Sequence, residues 1–89
     1  MGSPAAEEGC EVEIEDFAFV PQNIQISVGE TVTWENYDSA PHTATGDNGE
    51  FDSGNLATDQ TFSHTFDTAG TFSYHCNVHP NMTGSVVVQ

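Results

Sequence analysis

The chain has 89 residues, fourteen Asp and Glu, no Lys or Arg, and a formal net charge of −14. That length allows one domain, and the lack of Lys and Arg argues against nucleic acid or an anionic membrane surface as partner, because phosphate contacts need those cations. With 36% hydrophobic residues, six Phe, one Trp and two Tyr, a compact core is affordable and global disorder is not expected, while no stretch approaches the ~20 apolar residues of a membrane span. The charge fits a basic protein partner or a salt-rich solvent instead. Carboxylate self-repulsion destabilises the compact state, and salt screens it over about 8–10 Å at physiological strength. A natural halophilic adaptation and a deliberately engineered surface both fit the complete absence of Lys and Arg.

Residues 1–10 are small and acidic and are expected to form a flexible tail, leaving 11–89 as the single domain. Met1-Gly2-Ser3 reads as an expression scar, and residues 1–8 lack the basic start and apolar centre of a signal peptide. Beyond the tail the hydrophobic period is two, the mark of strands with one buried face. Val12 and Ile14 alternate with Glu11, Glu13 and Glu15, whose carboxylates form a solvated face. Ile24, Ile26 and Val28 alternate with Gln25 and Ser27, and Val32 and Trp34 with Thr31, Thr33 and Glu35. The tight turn Val28-Gly29-Glu30 between those two runs predicts a hairpin. Asp47-Asn48-Gly49 and Ser53-Gly54-Asn55 break the middle third into loop. Phe62 and Phe66 share a face with His64 between them, and Asp67-Thr68-Ala69-Gly70 turns the chain into the strand 71–76. Val86 and Val88 close the sequence, and nothing long has helical period. The pattern predicts an all-β sandwich or barrel of seven to eight strands in two sheets.

The strand 71–76 ends on Cys76 and runs into Asn77-Val78-His79-Pro80-Asn81-Met82, which puts thiolate, imidazole and thioether at C-x2-H-x2-M on one short loop. A second imidazole, His42, follows Pro41. Taken singly, the cysteine reads as a small buried hydrophobe, the histidine as surface and the methionine as core. Together they form the His2Cys set with a weak axial Met that suits copper, since soft sulfur favours Cu(I) and imidazole serves both oxidation states. A structural zinc site wants four strong ligands, and this set is one short. A nucleophilic Cys76 has no obvious orienting acid or oxyanion loop, and a chain this short leaves little wall for a substrate pocket, so no enzyme is expected. A Cys10–Cys76 disulfide is the other use of two cysteines, and it would destroy the site. Cys10 reads as a spare surface thiol; lipid attachment would want an apolar segment where Glu7-Glu8-Gly9 stands. His75, next to Cys76 on a strand, points to the opposite face and is not expected to be a ligand.

These segments resemble the cupredoxin (blue copper) family, in the branch of plastocyanin, amicyanin and halocyanin. The resemblance runs from about Val12 to Gln89. It lies in Val28-Gly29-Glu30-Thr31-Val32-Thr33-Trp34, in Ala40-Pro41-His42, in the approach from Ala69 to Cys76, and in Gly84-Ser85-Val86-Val87-Val88. The loop Cys76 to Met82 is most like that of amicyanin, with His-Pro and two residues between His and Met. The resemblance implies a Greek-key β-sandwich and one copper per chain, Cu(I)/Cu(II), on His42, Cys76, His79 and Met82. It also implies single-electron transfer between redox partners outside the cytoplasm, with the edge of His79 as the electron door and Pro80 and its apolar neighbours as the docking patch. A copper carrier or buffer that delivers metal is the alternative. A monomer is expected, with a Cys10-linked dimer as its alternative. Two departures stand out: Thr43 follows the first ligand where the family often has Asn, and His64 occupies a position where an apolar inward residue is expected.

Overall fold

The computed structural model describes residues 10–89. Eight strands follow in order: β1 (Cys10–Glu15), β2 (Ala18–Val20), β3 (Asn23–Ile26), β4 (Thr31–Asn36), β5 (Thr45–Gly46), β6 (Thr61–Thr65), β7 (Gly70–His75) and β8 (Thr83–Val88). They form two four-stranded sheets, ordered β2-β1-β4-β6 and β3-β8-β7-β5. The tail expected over 1–10 lies outside the described residues except for Cys10, which opens β1 opposite Val32.

The period-two residues meet between the sheets. β1 buries Val12 and Ile14, β4 buries Val32 and Trp34, and Ile26, Tyr74, Val86 and Val88 face them from the other sheet. Trp34 stacks on Phe51 at 5.3 Å between ring centroids and meets Tyr74 edge-on at 5.4 Å, contacts worth roughly 0.5–1.5 kcal/mol each beyond the area they bury. On the solvent face of the first sheet, hydroxyl pairs Thr31–Thr65 and Thr33–Ser63, at 2.7 and 2.8 Å, join β4 to β6.

The expected hairpin at Val28–Glu30 does not form. That turn carries the chain from β3 in one sheet to β4 in the other. The Val28 N–H donates to the Gln89 carbonyl at 3.2 Å and the Gly29 N–H to the Phe66 carbonyl at 2.7 Å. Alternation says that each strand has one buried face, but not which sheet it joins, and a turn between facing sheets leaves the same pattern. Gly29 sits at φ +95°, where a side chain would be strained. The turn before β7 likewise crosses between sheets. The short β2 and β5, both at sheet edges, fall outside the alternating runs. His64 lies on β6, also an edge strand, half-buried, stacked on Phe51 at 5.1 Å and edge-on to Phe66 at 4.7 Å.

Candidate metal centre

β7 and β8 are antiparallel neighbours with His75 opposite Thr83, so residues 76–82 are the loop of their hairpin. The loop is closed by two backbone bonds, Cys76 N–H to the Met82 carbonyl at 3.0 Å and Met82 N–H to the His79 carbonyl at 2.9 Å. The alternation of β7 turns Tyr74 and Cys76 inward, both fully buried, and His75 outward.

His42 arrives from a loop pinned by a buried amide. Asn36, at the end of β4, donates through Nδ2 to the Ala40 and Leu56 carbonyls at 2.9 and 2.8 Å. Its Oδ1 accepts the Asp38 N–H at 2.8 Å. The backbone of His42 then pairs both ways with Leu56, at 3.2 and 2.7 Å. A buried polar side chain this fully satisfied specifies one path for the loop.

The ligand atoms of His42, Cys76 and His79 lie within 4.8 Å of one another, and Nδ1 of His42 is 3.7 Å from the sulfur. Met82, on the same loop, is buried. Two amides aim at the sulfur and fix its position, Thr43 N–H at 3.3 Å and His79 N–H at 3.4 Å. Both cysteines are free of disulfides. Nε2 of His42 lies 2.9 Å from Asp38 Oδ2. A carboxylate only accepts, so Nε2 carries the proton and the Nδ1 lone pair is left free. Burial pushes the Asp38 carboxyl up, but the amides of Phe17 and Asp16 and the His42 ring outweigh it and hold the group below the usual carboxylate range. Nδ1 of His79 is buried with no hydrogen-bond partner among the described residues. Such an orphan costs about 1–3 kcal/mol unless something takes its lone pair. A free lone pair on His42 and an unpartnered ring nitrogen on His79, beside a buried thiol, form a donor set that fits copper.

Phe17 is a residue that sequence reasoning missed. Its ring stands edge-on to His42 at 5.1 Å and to His79 at 4.9 Å, while the residue stays 52% exposed. Asp16 and Phe17 both adopt left-handed backbone, φ 56° and 59°, a conformation that costs ordinary residues on the order of 1 kcal/mol. Asp38 stabilises this turn by accepting the Asp16 and Phe17 amides at 2.8 and 2.9 Å.

Thr43, the departure from the family pattern, makes two bonds to residues 76–82. Its amide reaches the sulfur, and its hydroxyl accepts the Asn77 N–H at 2.8 Å. His75 is not in the cluster. Its Nδ1 meets Asp47 Oδ1 at 2.6 Å and its Nε2 meets Asn77 Oδ1 at 2.9 Å. The Asp47 bond leads in raising its pKa, burial opposing it and Asn77 adding to the rise.

A two-sheet β-sandwich with a buried His-Cys-His cluster at one hairpin loop is the architecture of a cupredoxin. A family model for copper binding proteins of the plastocyanin/azurin family matches residues 6–89, and the chain belongs to that family. It is 36% identical over 88 residues to amicyanin of Paracoccus denitrificans, a match covering 88% of this chain and 63% of that protein. It is 37% identical over 84 residues to plastocyanin of Scenedesmus fuscus, covering 80% of this chain and 86% of that one. Among solved structures, the Cu(I) form of an amicyanin mutant matches with a TM-score of 0.84 at 37% identity, over 92% of this chain and 83% of the other.

Proposed function

We propose that this protein carries single electrons between redox partners through one copper ion held by His42, Cys76, His79 and, more weakly, Met82. The observation that carries this reading is the His42–Cys76–His79 cluster, in which Nδ1 of His79 lacks a hydrogen-bond partner among the described residues and Nδ1 of His42 is kept free by Asp38. Copper held by this set of two imidazoles, a thiolate and a thioether would supply one-electron exchange between Cu(I) and Cu(II). The protein's own groups hold the thiolate with two amides, fix the His42 tautomer and cover both imidazoles with Phe17. Loading the site releases the thiol proton, so affinity falls at low pH.

The half-exposed His79 is the proposed electron door. Phe17, Pro41, Val78 and Pro80 are exposed and supply an apolar docking patch, while the net charge of −14 favours basic partners. No substrate is transformed. Membership of the family supports a site of action outside the cytoplasm. Burial and the Glu30 carboxylate push the Cys10 thiol up, which slows disulfide exchange. The second reading, copper delivery, uses the same soft donors. Voltammetry of the copper-loaded protein beside a Cu(I) chelator separates the two. A reversible one-electron wave with copper retained supports electron carriage, and transfer of copper to the chelator supports delivery.

A further inference from the structure

Thr45 belongs to the two-residue edge strand β5 and is absent from the donor pattern, yet three segments meet at its hydroxyl. Oγ1 lies 2.9 Å from Thr43 Oγ1, 3.1 Å from Asp52 Oδ1 and 3.2 Å from Asn77 Nδ2. A hydroxyl has one proton to give and two lone pairs, and a carboxylate only accepts. The Thr45 proton therefore goes to Asp52, and its lone pairs take N–H from Asn77 and O–H from Thr43. The Thr43 hydroxyl, its own proton committed, turns a lone pair to the Asn77 amide at 2.8 Å. The negative charge of Asp52 thus sets the direction of every bond in the chain. Asp52 is itself anchored, because Oδ1 also accepts the Gly54 N–H at 2.9 Å. Asn77 follows Cys76 directly, and Thr43 gives its amide to the sulfur at 3.3 Å.

We propose that Thr45, oriented by Asp52, is a positioning residue of the metal centre that fixes the first peptide of the ligand loop and with it the direction of the Cys76 sulfur. Thr45 acts through a relay of two hydroxyls, its own and that of Thr43. Mutual polarisation along such a relay strengthens its members. The inference rests on the copper reading only for its spectroscopic readout; exchange in the metal-free protein stands apart from it.

The test compares Thr45→Val, Thr45→Ser and wild type by amide hydrogen exchange of the copper-free protein and by the visible spectrum and midpoint potential of the copper-loaded protein. In Thr45→Val the Asn77 amide should exchange about fivefold faster, as expected for losing hydrogen bonds of ~1 kcal/mol, with Val86 unchanged. The thiolate–copper band and the potential should both shift, and Thr45→Ser should restore all three. An Asn77 rate in Thr45→Val equal to wild type overturns the proposal, as does faster exchange with an unaltered band and potential, which would make Thr45 merely structural. If Thr45→Val does not fold, Asp52→Asn decides by the same readouts: faster Asn77 exchange with a shifted band supports the relay, and wild-type values overturn it. Wild-type protein that takes no copper contradicts the functional reading instead, and the exchange comparison then decides alone.

Discussion

Asp38 accepts the Nε2–H of His42 at 2.9 Å, and with the same carboxylate it takes the amides of Asp16 and Phe17. One side chain therefore selects the His42 tautomer and holds the turn that lays Phe17 over both imidazoles. This explains why an acid sits beside a buried ring in a chain already crowded with negative charge.

Replacing Asp38 by Ala should weaken copper binding about 10–100-fold, the usual cost of losing a partner that orients a ligand. Asp38→Asn, which still offers an acceptor oxygen, should lose less. Competition titration against a chelator measures both. The pH sign follows from the lowered pKa of Asp38. Its contribution to stability is present above the ordinary carboxylate value of about 3.9 and is lost as pH falls through the lower folded value.

Phe17→Ala should leave folding nearly intact, because the ring is half in solvent and its edge contacts are worth roughly 0.5–1.5 kcal/mol. The electron self-exchange rate should fall about tenfold, the scale of truncating one aromatic anchor in a contact. NMR line broadening in mixtures of oxidised and reduced protein reports that rate. Equal rates in variant and wild type would remove Phe17 from the docking patch.

The candidate ligands are legible in the sequence where the signal is local. Cys76, His79 and Met82 fall on one hairpin loop, and the alternation before Cys76 already placed His75 on the other face. Val12, Ile14, Val32 and Trp34 were readable as core by period alone. Pairing was not, since Val28-Gly29-Glu30 looks the same whether its strands share a sheet or face one another. Asp38 and Phe17 were hidden for a different reason. They are far apart in sequence and meet only when the loop before His42 folds over the β1–β2 turn, and an exposed Phe in a left-handed turn has no periodic signature. Thr43 was visible as a departure, but its compensation through Thr45 and Asp52 depends on contacts that spacing does not encode.

His75 should confer pH-dependent stability of the opposite sense to Asp38. Both of its ring nitrogens meet oxygen atoms, and the Asp47 bond leads in raising its pKa. The charged ring's contribution is complete below the unfolded value of about 6.5 and is lost as pH rises through the higher folded value. Urea unfolding of the copper-free protein across that range should show the decline in wild type and a flatter profile in His75→Gln. Identical profiles would contradict the assignment.

Gly84 is a packing constraint under Tyr74. A Cβ there would sit 2.5 Å from the Tyr74 hydroxyl oxygen and 2.8 Å from the Gln22 carbonyl oxygen. That hydroxyl is buried without a hydrogen bond among the described residues. Burial pushes its pKa up to about 12 against an opposing pull from the Trp34 indole, although the indole falls short of hydrogen-bond geometry. Gly84→Ala should destabilise the fold by about 1–3 kcal/mol through overpacking, read as a lower urea midpoint with an unchanged m-value.

The most direct test of the central claim is the visible absorption spectrum after one equivalent of Cu(II), followed by ascorbate and then reoxidation. An intense blue thiolate–copper band is expected, which bleaches on reduction, returns on reoxidation and is missing from Cys76→Ser. A colourless or faintly blue wild-type sample would contradict it, because Cys76 would then not bind Cu(II) as a thiolate.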